Sequence, residues 1–229
     1  MSSEAFAAPI VFDSRSAFTS AAGALLTDDY EDPGYAEFQD DASMNAVKSL
    51  TRYRTTFFMN FDEVIATSNG HIYAGGFTSG SFQLDFTAPS LGGSGVLAVG
   101  FDYANNIPMP YVAFVSFADG SSQNFALHAS AFQILSPPPD FFGLTSSVEI
   151  TGIHIGLADG GATNNNLFAM DNLSVAPVPE PNTALLLAWG LLALATHSRN
   201  LPDQLGAKRA RRPWASLAAL SDGHGLREP

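Results

Sequence analysis

Seven carboxylates crowd a short stretch near the start of the chain: Asp28, Asp29, Glu31, Asp32, Glu37, Asp40 and Asp41. A further one, Asp171, sits in LFAMDNLSV on a candidate late strand. Hard cations such as Ca²⁺ take about six to eight oxygen ligands, several of them from carboxylates. Asp28, Glu31, Asp32 and Asp171 are therefore the candidate ligands, and Ca²⁺ is the one cofactor that the sequence suggests. The competing expectation is a solvated acidic turn, with Asp171 and Asn172 capping a local turn. A second kind of chemistry is sugar stacking. Tyr73, Tyr103 and Tyr111, with Phe117 beside them, are its aromatic candidates, against the expectation that alternating aromatics belong to a core.

Catalytic sets are missing from the pattern. His71, His128, His154, His197 and His224 are scattered, without the spacing of a helical metal pair. No Gly-x-Ser-x-Gly elbow and no phosphate loop occurs, and Gly92-Gly93-Ser94-Gly95 reads as a turn. His154 alternates with apolar neighbours and reads as a partly exposed strand residue. No carboxylate spacing identifies a glycosidase pair. Cysteine is absent, which excludes disulfides, thiol catalysis and Cys-bound zinc. The expectation is a protein without enzymatic activity.

Charge is unevenly placed along the 229 residues. Up to Pro181 there are 4 basic and 19 acidic residues; beyond it there are 6 basic and 3 acidic. An acidic body repels phosphate backbones, so nucleic acid is not an expected partner. Three of the four early basic residues, Lys48, Arg52 and Arg54, fall at 42–56, a stretch of ambiguous pattern where they can offset the acidic loop.

The elements that position these groups are strands. A short strand is expected at 9–13, then a helix over 14–26 capped by Ser14 or Ser16. Period-2 alternation predicts strands at 57–66, 71–77, 81–87, 95–103, 111–118, 122–128, 147–156 and 166–175. Asn69-Gly70 and Asp119-Gly120 are hairpin signals, and the broken phase at Gly152 predicts a bulge. Strands without intervening helices predict an all-β antiparallel sandwich or jelly roll over 9–176.

After this domain comes Ala176-Pro177-Val178-Pro179-Glu180-Pro181, a stiff proline-rich linker. The run Ala184–Ala195 is apolar on every face, and Arg199 follows it. As a helix over 182–198 it would reach about 26 Å, marginal for a span of the ~30 Å hydrocarbon core; the competing expectation is a buried terminal helix. VPEP, then LLLAWGLLALA, then a basic stop resembles the PEP-CTERM sorting signal of bacterial exosortase systems. The resemblance covers residues 177–199. It implies export, a transient stay in the inner membrane, and processing at Val178, Pro179, Glu180 and Pro181 by an exosortase-type enzyme. It also implies delivery to the cell surface or an extracellular polysaccharide matrix, with Arg199 as the membrane stop. Basic residues beyond the apolar run fit that orientation.

Further resemblances concern the domain. "GFDY", "FADGSSQNF", "FFGLTS" and "FAMDNLSV" are similar to segments of domains found upstream of such signals, which implies a β-sandwich without stated activity. "YED" and "MDN" resemble a structural Ca²⁺ arrangement in sugar-binding jelly rolls. Ala5-Phe6-Ala7 has the form of a signal-peptidase site, so one expectation for residues 1–8 is the remnant of a signal peptide; the other is a chance match among common alanines. Residues 200–229 read as a disordered basic tail. The function expected is an exported structural or adhesive sandwich; the alternatives are an exopolysaccharide-binding module with a structural Ca²⁺ and, behind it, a secreted hydrolase.

Overall fold

The computed structural model describes residues 8–48, 50–56, 61–75, 81–88, 91, 94–105, 110–128, 139–162, 168–178, 189 and 191. The chain divides into two compact units, Met1–Pro179 and Glu180–Pro229. In the second unit only Trp189 and Leu191 are described; both are helical and exposed. The expected Pro179-Glu180-Pro181 motif, the remainder of the 182–198 helix, Arg199 and the 200–229 tail lie outside the described residues. So do residues 1–7 of the expected leader remnant.

Among its described residues the first unit is antiparallel β with two short helices. Its strands are β1 (Ile10–Phe12), β2 (Leu26–Asp28), β3 (Phe38–Gln39), β4 (Arg52–Thr55), β5 (Asp62–Thr67) and β6 (Gly70–Ala74). They continue as β7 (Phe82–Asp85), β8 (Val96–Asn105), β9 (Tyr111–Phe117), β10 (Ser122–Ala126), β11 (Asp140–Leu157) and β12 (Phe168–Pro177). The helices are α1 (Arg15–Ala22) and α2 (Asp41–Val47).

β11 holds the fold together because it serves both layers. Its first half pairs β8 and β1, through Asp140–Thr145 and Gly143–Thr145 respectively. Its second half pairs β9 on one side and β7 on the other. The change of partner coincides with a register shift between Ile150 and Gly152, so the expected bulge is present. One layer thus runs β10–β9–β11–β7–β4, and the sheet continues through β8, β12, β6, β5 and β3. The core lies where this curled sheet faces itself. Phe168 of β12 packs its ring against Phe82, Tyr111, Tyr103 and Phe101 at 5.1–6.4 Å. Burying one such ring contributes about 1.5–3 kcal/mol.

Both predicted hairpins form. Ser68-Asn69 turns β5 into β6, with Gly70 at φ 119°, and Asp119-Gly120 turns β9 into β10 with Gly120 at φ 82°. Other expectations need correction. The first helix ends at Ala22, because Gly23 at φ 77° breaks it and Leu26 enters β2. The ambiguous 42–56 stretch resolves into α2 and β4. Asp40 caps α2, its carboxylate accepting from the Ser43 N–H at 2.8 Å. The 147–156 strand is the second part of an 18-residue strand. Ala176 and Pro177, read as linker, belong to β12 opposite Ala98 and Val96.

Candidate functional site

The acidic loop is folded onto itself and onto its neighbours. Asp28 is buried at the end of β2. It accepts from the Tyr30 N–H at 3.1 Å and from the Tyr35 hydroxyl, and burial together with that bond pushes the Tyr35 phenol up. Lys48 Nζ lies 3.6 Å from Asp28 and donates to Asp29 at 2.7 Å, which holds the Asp29 carboxyl below its ordinary range. Asp32 accepts from the Gly34 N–H at 2.9 Å. Glu31 accepts from the His71 backbone at 2.6 Å and meets its Nδ1 at 2.9 Å; this pairing lowers the Glu31 pKa.

Asp171 accepts from the Asn172 N–H at 2.6 Å, as the local-turn reading expected. Its pKa is raised to about 6, first by burial and then, against the Asn172 bond, by Asp102. Asp28, Glu31, Asp32 and Asp171 therefore point to protein partners. No group of three or more His, Asp or Glu among the described residues is placed to hold a metal ion. Among the described residues, the carboxylates expected as Ca²⁺ ligands are thus engaged with protein groups.

The stacking candidates are corrected too. Tyr73, Tyr103, Tyr111 and Phe117 are all buried. Tyr73 donates to Asp62 Oδ1 at 2.6 Å, and the Tyr103 hydroxyl accepts from the His128 N–H at 2.8 Å. A tyrosine enters a core when its hydroxyl finds a partner there, which is what these two do.

The exposed face of the β10–β9–β11–β7–β4 layer carries a different set. Alternation buries Tyr53, Phe82, Leu84, Ala113, Val115, Ile153 and Ile155 and turns their neighbours outward. Register aligns those neighbours in rows across five strands. One row is Arg54, Gln83, His154, Phe114 and Asn124. The next is Arg52, Asp85, Gly152, Ser116 and Ser122. At about 4.8 Å between strands a row is ~19 Å long.

Gly152 has no side chain, so the second row is hollow at its centre. The resulting groove of about 340 Å³ is lined by Gln83, Asp85, Thr87, Ser116, Thr151 and His154, with Gly152 in its floor. The His154 ring stacks on Phe114, centroids 5.5 Å apart, and its Nε2 meets the Ser81 hydroxyl at 3.1 Å. Burial lowers the His154 pKa, which favours the uncharged ring. The groove thus offers amide, hydroxyl, imidazole and carboxylate groups beside an aromatic surface. Among the described residues Asp85 is its only carboxylate, whereas glycoside hydrolysis ordinarily uses two.

Alternation in the sequence places His154 correctly as a half-buried strand residue but does not connect it to Phe114, Gln83 or Arg54. Cross-strand register does that, and no local signal encodes it. The expectation that Arg52 and Arg54 offset the acidic loop is also corrected. Among the described residues Lys48 pairs with that loop, and neither arginine forms an ion pair.

The fold defines an antiparallel, sandwich-like β domain with one polar, grooved sheet face. No family model and no curated protein matches the chain. Among solved structures it is similar to a mutant of a family 29 carbohydrate-binding module complexed with cellulohexaose, at 10% identity and a TM-score of 0.35. That likeness covers 66% of this chain and 89% of the other.

Proposed function

We propose that this chain is an exported, non-catalytic β-sandwich that binds polysaccharide on the β10–β9–β11–β7–β4 face. The observation behind this is the row Arg54–Gln83–His154–Phe114–Asn124 beside the Gly152 groove. Planar amide and guanidinium groups suit sugar hydroxyls, and the Phe114–His154 pair offers a ring for the apolar face of a pyranose. Export rests on the VPEP-helix-Arg pattern, through which an exosortase-type enzyme at the membrane would process the chain near Pro179-Glu180-Pro181.

Affinity electrophoresis of the full chain through gels containing the producer's own polysaccharide tests the first part. Retardation that Phe114→Ala and Gln83→Ala reduce, with unchanged melting curves, is expected. Migration indifferent to every polysaccharide would leave the structural or adhesive reading in its place. Cell fractionation with intact mass of the exported form tests the second part; an unprocessed chain confined to the cytoplasm would refute it.

A further inference from the structure

We infer that the polysaccharide taken by this face is anionic, and that Arg52 and Arg54 receive its acid groups. This rests on the carbohydrate-binding reading above and narrows it to a ligand class. Only four basic residues precede Pro181, and two are already engaged. Arg15 is bound to Asp102, and Lys48 to Asp28 and Asp29. Arg52 and Arg54 remain without an ion pair among the described residues. They alternate on β4 with buried Tyr53 and Thr55, so both project from the groove face, exposed and about 6.6 Å apart along the strand.

Edge protection and local neutralisation account for these arginines less well. Charged residues on an edge strand often block unwanted pairing. Here the free edge of β4 is already covered by α2. Asn45 accepts from the Tyr53 N–H at 2.6 Å and donates to its carbonyl at 3.2 Å, and Asp41 accepts from the Thr55 N–H at 3.2 Å. Neutralisation would fall to Asp85, opposite Arg52 in register. But Asp85 Oδ1 is taken by the Thr87 N–H at 2.7 Å and the Thr87 hydroxyl at 2.6 Å, and no ion pair to Arg52 forms. The acidic body as a whole repels polyanions, as it does nucleic acid, so an anionic sugar can approach only where these two guanidinium groups, unengaged among the described residues, outweigh that charge locally. Each presents a planar fork that matches a carboxylate in two-point geometry.

The test uses the full chain in gels containing a polyuronate, a sulfated dextran or a neutral β-glucan, at low and raised salt. Retardation by a polyanion is expected, weakening with salt because exposed charges are screened. Its preference between the two polyanions reports whether carboxylate or sulfate is the group bound. Arg52→Gln and Arg54→Gln should each lose about tenfold in affinity with unchanged melting curves. Equal retardation by the neutral glucan, untouched by either substitution, would overturn this inference and leave the carbohydrate reading standing. Absence of retardation in all three gels would overturn both.

Discussion

Gly100 on β8 and Gly143 on β11 stand opposite each other in register, and the ring of Phe18 lies over both. A Cβ added at Gly100 would come within 2.9 Å of Phe18 and of Phe141; one at Gly143 would come within 2.8 Å of Phe18 and 2.7 Å of Phe141. The two glycines make a flat seat on which α1 docks. Ala98, Ala176, Phe12 and Phe141 complete this second small core.

Enlarging that seat should therefore loosen α1 without touching the groove. Gly100→Val is expected to destabilise the domain by about 1–3 kcal/mol through overpacking. Urea unfolding followed by near-UV circular dichroism measures it. An unchanged midpoint would mean that α1 does not depend on the seat.

Arg15 fastens the same helix electrostatically. Its Nε donates to both oxygens of Asp102 at 3.1 Å, Nη1 donates to the Ser174 hydroxyl at 3.2 Å, and Nη2 to the Asn172 carbonyl at 3.1 Å. The guanidinium also lies 4.8 Å above the Phe141 ring. Arg15→Lys keeps the charge but loses the fork, so it should recover little of what Arg15→Ala loses, about 2 kcal/mol. Full rescue by lysine in a denaturation series would show that charge alone matters here.

Asn45 replaces a missing neighbour strand for β4. Asn45→Ala leaves the Tyr53 N–H and carbonyl without that partner, at a cost of about 1–3 kcal/mol. It also uncovers an edge able to pair with another chain. Denaturation and size-exclusion chromatography should show lower stability together with concentration-dependent association. A monomer of normal stability would argue against the edge-covering role.

Asp62 is fully buried, accepts from the Tyr73 hydroxyl and shares a side-chain hydrogen bond with the Asp41 carboxyl. Burial first, and then the nearby Asp41 and Asp40 charges against the Tyr73 bond, push its pKa from 3.8 up to about 7. Asp171 is raised to about 6. A raised carboxyl pKa means that the folded state holds the proton more tightly than the unfolded one. The contribution of both groups is fully present below pH ~4 and is lost as pH rises toward 7. Stability should therefore fall across that window. Asp62→Asn, which keeps the Tyr73 acceptor and carries no charge, should flatten the fall and raise the urea midpoint at pH 8. A midpoint rising from pH 4 to 7 in the parent chain would contradict this.

The class of fold is legible in the chain because the signals involved are local. Period-2 alternation in 81–87 and 111–118 needs only neighbouring residues, and Asn69-Gly70 and Asp119-Gly120 supply positive φ wherever they occur. Even the bulge was legible, as a lost phase beside Gly152. The short helix α2 was not, since a seven-residue helix depends on its cap and on tertiary contacts more than on propensity. Which aromatics are surface and which are core emerges only when the layers pack. Tyr73, Tyr103 and Tyr111 share the residue type and alternation of a stacking platform, yet each faces the other layer. Phe114, one pleat out of phase with Tyr111, faces solvent beside His154. That outcome depends on which sheet face is covered, and the covering layer is distant in sequence. The rows that bring Arg52 and Arg54 alongside Gln83 and Asp85 depend likewise on cross-strand register, which is fixed only when β4, β7, β11 and β9 pair.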